Sequence, residues 1–251
     1  MHPFFATDPD HPLPLILAST STYRRELLQR LGLAFEVCAP GVDETPQPGE
    51  RPADLAMRLA MAKAQAVAAQ HPGTVVIGSD QVADLHGEPL GKPGNHANAV
   101  DQLRRQSGQA VVFQTSVAVV CLDRQFAKAA LASVQVQFRP LNEADIEAYL
   151  RAEPAYDCAG SAKSEGLGIA LLERIDSDDP TSLIGLPLMR TCALLRGVGI
   201  RVHGGNQSYG ARRAERAYYL ERLCAKHGLG PLPLKDHLAL AREGLGEAQS
   251  P

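Results

Sequence analysis

A chain of 251 residues, 45% of them hydrophobic, can bury a core as one large domain or as two small lobes. Charged residues make up 21% and the formal net charge is −3, which excludes a global basic field for wrapping nucleic acid; any anion site must be built locally from a few converging Lys and Arg. Five cysteines without a CxxC pair argue against a disulfide framework and a zinc ribbon, and eight histidines without HExxH spacing argue against a zincin site.

Met1 to Pro14 carries acids, histidines and four prolines but no basic segment followed by an apolar one, so residues 1–13 are expected to form a flexible leader and not a secretory signal. No apolar run approaches a membrane span, so no membrane partner is expected and a cytoplasmic location is. Leu13 to Ala18 reads as a buried strand, Thr20 to Leu31 as a helix with Leu27, Leu28 and Leu31 on one face, and Phe35 to Ala39 as a second strand. After a polar, Pro-rich stretch from Pro40 to Pro52, the segment Asp54 to Gln70 is rich in helix formers. Thr74 to Ile77 predicts another buried strand, running into Gly78-Ser79-Asp80, and His86-Gly87-Glu88-Pro89 a turn.

Asn95 can cap a helix through Arg105, closed by Gly108. Gln109 to Leu122 and Ala130 to Phe138 read as a long antiparallel hairpin. Asn142 can cap a helix through Ala152, with Asp145 at its third position. Leu167 to Ile175 predicts a further strand, and Leu186 to Leu195 a last helix ended by Gly197. The mixture implies an α/β fold whose sheet is not purely parallel. From Gly204 the composition turns linker-like, so the main domain is expected over 14–203 and an appendage over 204–251, with a helix from Ala211 to His227.

Four groups of residues suit one chemistry. Ser19-Thr20-Ser21-Thr22-Tyr23-Arg24-Arg25 lies between a strand and a helix, where N–H groups and the helix dipole favour an anion. Two adjacent arginines in a first helical turn oppose the dipole unless an anion is present, so a phosphate cradle is favoured over a Ser/Thr cap with exposed arginines. Asp43-Glu44 in the polar loop and Asp80-Gln81 after the buried strand offer carboxylates that could share Mg²⁺ if they meet, although a lone Asp there is often only a turn or cap. Lys63, Lys92 and Lys163 are separated in sequence; each alone is most often a solvated charge, but Lys92 and Lys163 sit in tight polar loops where function concentrates. The run Asp176 to Pro187, acidic at its start, lacks EF-hand spacing and reads as a turn and helix start that shapes a pocket wall.

The segments LILASTSTYRR, APGVDETP, GSDQV, GKP, CAGSAKSEGLG and DPTSLIGLPL occur in the order found in Maf-type proteins, and the chain resembles that family from Leu15 to Gly199. The resemblance implies an elongated mixed α/β fold related in shape to inosine-triphosphate pyrophosphatases, two lobes around a cleft, and often a homodimer. It implies hydrolysis of a nucleoside triphosphate to the monophosphate and pyrophosphate with a divalent cation, Mg²⁺ or Mn²⁺. GSDQV and AGSAKSEG resemble the 7-methyl-GTP branch more than the TTP/UTP branch. Carried over by motif, Asp80 is the general base, and Tyr23, Gln81 and Glu165 set base specificity; the family pattern has a larger aromatic at Tyr23 and an aromatic at Ala162. The expected phosphate ligands are Ser19, Ser21, Arg24, Arg25, Lys63, Lys92 and Lys163, and the expected metal ligands Glu44 and Asp80. The alternatives are a pyrophosphatase for other canonical or modified nucleotides, such as TTP or UTP, and a nucleotide-sensing regulator of cell division. Intact Asp80, Glu44 and lysines argue against a dead enzyme.

Overall fold

Alternation of apolar side chains divides the first strands between two faces of one sheet. The computed structural model describes residues 13–202, so the expected leader up to residue 12 and the appendage with its 211–227 helix lie outside the described residues. The strands are β1 (Leu15–Ala18), β2 (Glu36–Cys38), β3 (Val75–Leu85), β4 (Glu88–Leu90), β5 (Ala110–Cys121), β6 (Phe126–Phe138) and β7 (Leu172–Asp176). The helices are α1 (Thr22–Gln29), α2 (Pro52–Gln70), α3 (His96–Gln106), α4 (Glu143–Ala152) and α5 (Leu188–Gly197). The sheet order is β2-β1-β3-β5-β6-β7, with β4 paired to β3. β1 pairs in parallel with β2 and β3, and the remaining pairings are antiparallel, so the sheet is mixed, as expected. Among the described residues no helix is long and apolar enough to cross a membrane.

Ile16, Ala18, Val76, Ala118 and Val120 face α2 and meet Ala60, Ala64 and Val67. Leu15, Leu17, Val75, Ile77, Val117 and Val119 face the other way and pack on Leu27 and Leu28 of α1 and Leu195 of α5. The far halves of the long strands β3, β5 and β6 build a second core, in which Leu85, Phe113, Val136 and Phe138 bury Leu103 of α3 and Ile146 and Leu150 of α4. Each fully buried Leu or Phe of this kind contributes about 1.5–3 kcal/mol. Two of the predicted caps form: Asn95 accepts from the Asn98 amide at 2.9 Å, and Asn142 and Asp145 make a reciprocal capping box.

Several boundaries differ from the sequence expectation. β3 does not stop before Gly78-Ser79-Asp80 but carries Asp80 in its middle, because Asp80 and Gln81 still pair with Ser116 and Thr115 of β5. The strand predicted from Leu167 opens as a 3-10 turn, Leu167–Leu171, in which the Gly168 amide donates to Glu153 at 3.3 Å; pairing with β6 begins only at Leu172. β6 starts at Phe126, earlier than predicted. α5 starts at Leu188, after Pro187, and contains Gly197; the left-handed turn after it falls on Gly199, at φ 95°.

One register detail opens the site. β1 ends where Ala18 pairs with Gly78, and β4, running antiparallel, ends where Leu90 pairs with Ala83. Between these points Ser79 to Val82 have β5 on one side and no strand on the other among the described residues. Ligand sites in α/β sheets form beyond such strand ends.

Candidate active site

A cleft of about 770 Å³ lies at this gap, lined by residues of the β1–α1 turn, the 39–46 loop, α2, β3, the 89–92 segment, and the 157–159 and 184–185 loops. Period-2 alternation sends Asp80 toward α2 and Ser79 and Gln81 toward the opposite face. On α2, Lys63 follows Ala60 by three positions and shares its buried face; only 4% of the residue is exposed. A buried ammonium requires partners, and Lys63 Nζ has two: Asp80 Oδ1 at 2.7 Å and Glu44 Oε1 at 2.6 Å. Glu44 and Asp80, 36 residues apart in sequence, thus meet through one cation. Burial would raise the Glu44 pKa, but the hydrogen bond and charge of Lys63, with Lys92 and Arg24 nearby, hold it below the usual carboxylate range. Asp43, beside it, turns instead to its own loop and accepts from the Thr45 amide at 2.9 Å.

Ser21 is the N-cap of α1: its hydroxyl accepts from the Arg24 amide at 3.4 Å, and Ser19 Oγ accepts from the Ser21 amide at 3.1 Å. Each hydroxyl keeps its own proton to donate. Arg24 bends into the cleft, where its Nε donates to the Gly185 carbonyl at 2.9 Å. Burial lowers the Arg24 pKa, and the charges of Asp80 and Glu44 oppose that shift. Arg25 is exposed and is not part of the cleft lining.

The Gly185 carbonyl belongs to the loop read from sequence as a pocket wall, and Ile184 and Gly185 do line the cleft. The acids of that run anchor the wall. Fully buried Asp179 accepts from the Arg190 amide at 3.1 Å, and Thr181 bridges the Leu186 carbonyl and the Leu188 amide. The same wall holds Gln81, whose Nε2 donates to the Ser182 and Leu183 carbonyls and to Thr115 Oγ1 at 2.9–3.0 Å. These bonds direct the amide nitrogen into the wall and the oxygen away from it.

At the rim, Tyr23 donates its hydroxyl proton to Asp157 at 3.1 Å, and Lys163 Nζ lies 3.2 Å from Asp157 and 5.5 Å from the Tyr23 ring centroid. Burial would lower the Lys163 pKa, but Tyr23 and Asp157 raise it instead. The loop carrying Lys163 is held in place by α3 and α4. Gln106 donates to the Gly160 carbonyl at 2.8 Å, Ser161 donates to Gln102 at 2.6 Å, and the Lys163 amide donates to the Tyr149 hydroxyl at 3.0 Å. Gly160 and Ser161 both have left-handed backbones, at φ 72° and 57°, and an added Cβ at Gly160 would approach Phe113 to 3.0 Å. Burial pushes the neighbouring Cys158 thiol up to about 12, which leaves it protonated and inert.

The structure therefore brings Ser19, Ser21, Tyr23, Arg24, Glu44, Lys63, Asp80, Gln81 and Lys92 to one cleft, with Lys163 at its rim. Glu165 is exposed and is not part of the lining. Asp157 and the Gly185 carbonyl were missed by sequence reasoning. A carboxylate one residue before CAGSAKSEG is the single signal for Asp157, and a carbonyl leaves none.

Three cations face two carboxylates here, an arrangement suited to a polyanion accompanied by a metal ion. Glu44 and Asp80 fit such an ion: both are hard oxygen donors, and they already grip a single cation between them. Among the described residues no cluster of three or more His, Cys, Asp or Glu side chains could hold a metal by itself.

Residues 14–198 match the family described as Maf-like protein. A protein of Polaromonas sp. named 7-methyl-GTP pyrophosphatase is 68% identical over 187 residues, covering 74% of this chain and 85% of that one. Proteins of the same name from Albidiferax ferrireducens and Bordetella pertussis are 65% and 58% identical; each match covers 76% of this chain and 96% of the relative.

Proposed function

The chain belongs to the Maf family, and we propose that it is a cytoplasmic pyrophosphatase that hydrolyses 7-methyl-GTP to 7-methyl-GMP and pyrophosphate. The observation that carries the reaction is the meeting of Asp80 and Glu44 with Arg24, Lys63 and Lys92 in one cleft. The name shared by relatives 58–68% identical supports the base.

In this reading Arg24, Lys63, Lys92 and Lys163 neutralise the triphosphate, and the hydroxyls of Ser19 and Ser21 donate to it. Asp80 takes the proton from water attacking the α-phosphorus. A divalent cation, Mg²⁺ or Mn²⁺, held by Glu44, Asp80 and phosphate oxygens would stabilise charge on the departing pyrophosphate. The wall hydrogen bonds of Ser79 and Gln81 keep β3 in place around Asp80. Lys92→Ala and Lys163→Ala are each expected to lower kcat/KM by about 10–100-fold with the fold intact. Unchanged kinetics in both would remove the proposed phosphate site.

7-Methylguanine carries a delocalised positive charge, which an aromatic face and a carboxylate favour over neutral guanine. Tyr23 supplies the face, Gln81 an amide oxygen, and Glu165, with Asp157 beside the ring, negative charge. A panel of 7-methyl-GTP, GTP, TTP and UTP with Mg²⁺ or Mn²⁺, scored for pyrophosphate release, tests the assignment. The highest kcat/KM is expected for 7-methyl-GTP; a preference for TTP or UTP would overturn it. Tyr23→Ala and Glu165→Gln should each reduce discrimination against GTP, by about tenfold for the lost ring. If the preference survives in both, the base is read elsewhere. A homodimer is also proposed, and sedimentation of the purified protein tests it.

A further inference from the structure

The ammonium of Lys63 lies between the two carboxylates that the proposed function assigns to a divalent cation. It touches Asp80 Oδ1 at 2.7 Å and Glu44 Oε1 at 2.6 Å, and it is almost fully buried. A second cation cannot share those oxygens while Lys63 remains, because the two like charges would be in contact in a poorly solvated site. Arg24 and Lys92 line the same cleft and add positive charge near Glu44. A bare divalent ion therefore meets a site whose carboxylates are already taken and whose surroundings repel it. A metal–triphosphate complex is net negative and meets attraction instead.

The partners differ in their freedom to rearrange. The Asp80 side chain is 9% exposed and sits in the middle of a paired strand, whereas the Glu44 side chain is 56% exposed and sits on a loop. Lys63 has a four-carbon stem, so its amine can turn toward an incoming phosphate while its backbone stays fixed in α2. Moving that amine away uncovers Asp80 and Glu44 together. A buried ammonium cannot leave two carboxylates without another anion to receive it, and the triphosphate is that anion.

We propose that Lys63 is a resident counter-ion that closes the metal site of the free enzyme, so that a divalent cation enters only together with the triphosphate. This rests on the assignment of Glu44 and Asp80 as metal ligands. Lys63 then has two roles in sequence: it holds Asp80 and Glu44 at rest, and it holds phosphate once substrate is bound. The free enzyme is protected from tight capture of whichever divalent ion is most abundant.

The test is direct binding of Mn²⁺, followed by the electron-spin resonance of the free ion, with no turnover involved. The proteins are the wild type, Lys63→Met, Lys63→Gln, and Lys63→Gln combined with Glu44→Gln; circular dichroism checks their folding. Lys63→Gln keeps a polar group in the buried position if the methionine variant does not fold. Wild type is expected to bind bare Mn²⁺ weakly. Both single variants should bind it at least about tenfold more tightly, since they free two carboxylates and remove a charge. The double variant should lose that gain. With the α,β-methylene analogue of 7-methyl-GTP present, wild type should hold Mn²⁺ in the ternary complex. Tight binding of bare Mn²⁺ by wild type would overturn the proposal without any variant. Equal affinity in wild type and the folded single variants would overturn it too, while pyrophosphate release measured in parallel would leave the enzymatic reading standing. Failure of every protein to retain Mn²⁺, even with the analogue, would overturn both this proposal and the assignment of Glu44 and Asp80 to the metal.

Discussion

Asp80→Asn should lower kcat by about 10²–10⁴-fold, the range for loss of a positioned general base, while nucleotide binding persists. The substitution is nearly isosteric. It falls within the β3–β5 ladder, where Asp80 pairs with Ser116 through backbone, so the strand should not move. Asn can still accept from Lys63 Nζ, which lies 2.7 Å from the present carboxylate, and Lys63 retains Glu44. What the amide cannot do is take a proton, and it is also a poorer ligand for a hard cation. In H₂¹⁸O the wild type should place label in the nucleoside monophosphate, because attack occurs at the α-phosphorus. Label in pyrophosphate would mean attack at the β-phosphorus and would sink this mechanism, though not the family. Residual turnover within a few-fold of wild type would show that Asp80 is not the base.

What the sequence made legible follows the strength of the local signal. The buried strands at Leu15 to Ala18 and Val75 to Ile77, the caps at Asn95 and Asn142, and the β5–β6 hairpin were readable because short apolar or β-branched runs and capping chemistry act over a few residues. The continuation of β3 through Asp80 was not. Gly78-Ser79-Asp80-Gln81 has turn composition, and only pairing to β5, more than thirty residues away in sequence, keeps it extended. Lys63 was readable as a helix residue but not as a buried one, since an ammonium among alanines has no meaning until Asp80 and Glu44 arrive from other elements. Glu165 shows the reverse. Motif likeness assigns it to base recognition, which the Glu165→Gln variant tests, but the motif did not carry its placement, exposed outside the lining, nor Asp157 as the carboxylate bonded to the Tyr23 hydroxyl. A motif gives residue identity and order, whereas side-chain direction depends on the left-handed turn at Gly160 and Ser161, which composition does not encode.

The position that couples the fold to the chemistry most tightly is Gly78, and Gly78→Ala is expected to damage both. A Cβ there would stand 2.3 Å from the Ala60 carbonyl oxygen and 2.7 Å from the Ala64 amide nitrogen. Both are backbone atoms of α2, so no side-chain rotation relieves the overlap; the helix itself must withdraw from β3. Overpacking of this kind costs about 1–3 kcal/mol and occasionally more. For a domain of this size that corresponds to a fall in Tm of roughly 2–12 °C. The second effect is on the site. Lys63 lies one residue before Ala64 on the same helix, and its amine must reach Asp80, two residues after Gly78 on the strand. A helix displaced from that strand stretches the 2.7 Å contact that holds Asp80 and the phosphate-binding amine in register. Activity should therefore fall further than the unfolded fraction accounts for, even well below the new Tm. Adding Ala64→Gly removes a third contact, at 3.0 Å to the Ala64 Cβ, but leaves both backbone overlaps, so it should not rescue the variant. Rescue by Ala64→Gly, or a Gly78→Ala protein with wild-type Tm and kcat, would show that α2 does not need this close approach to carry Lys63 to Asp80.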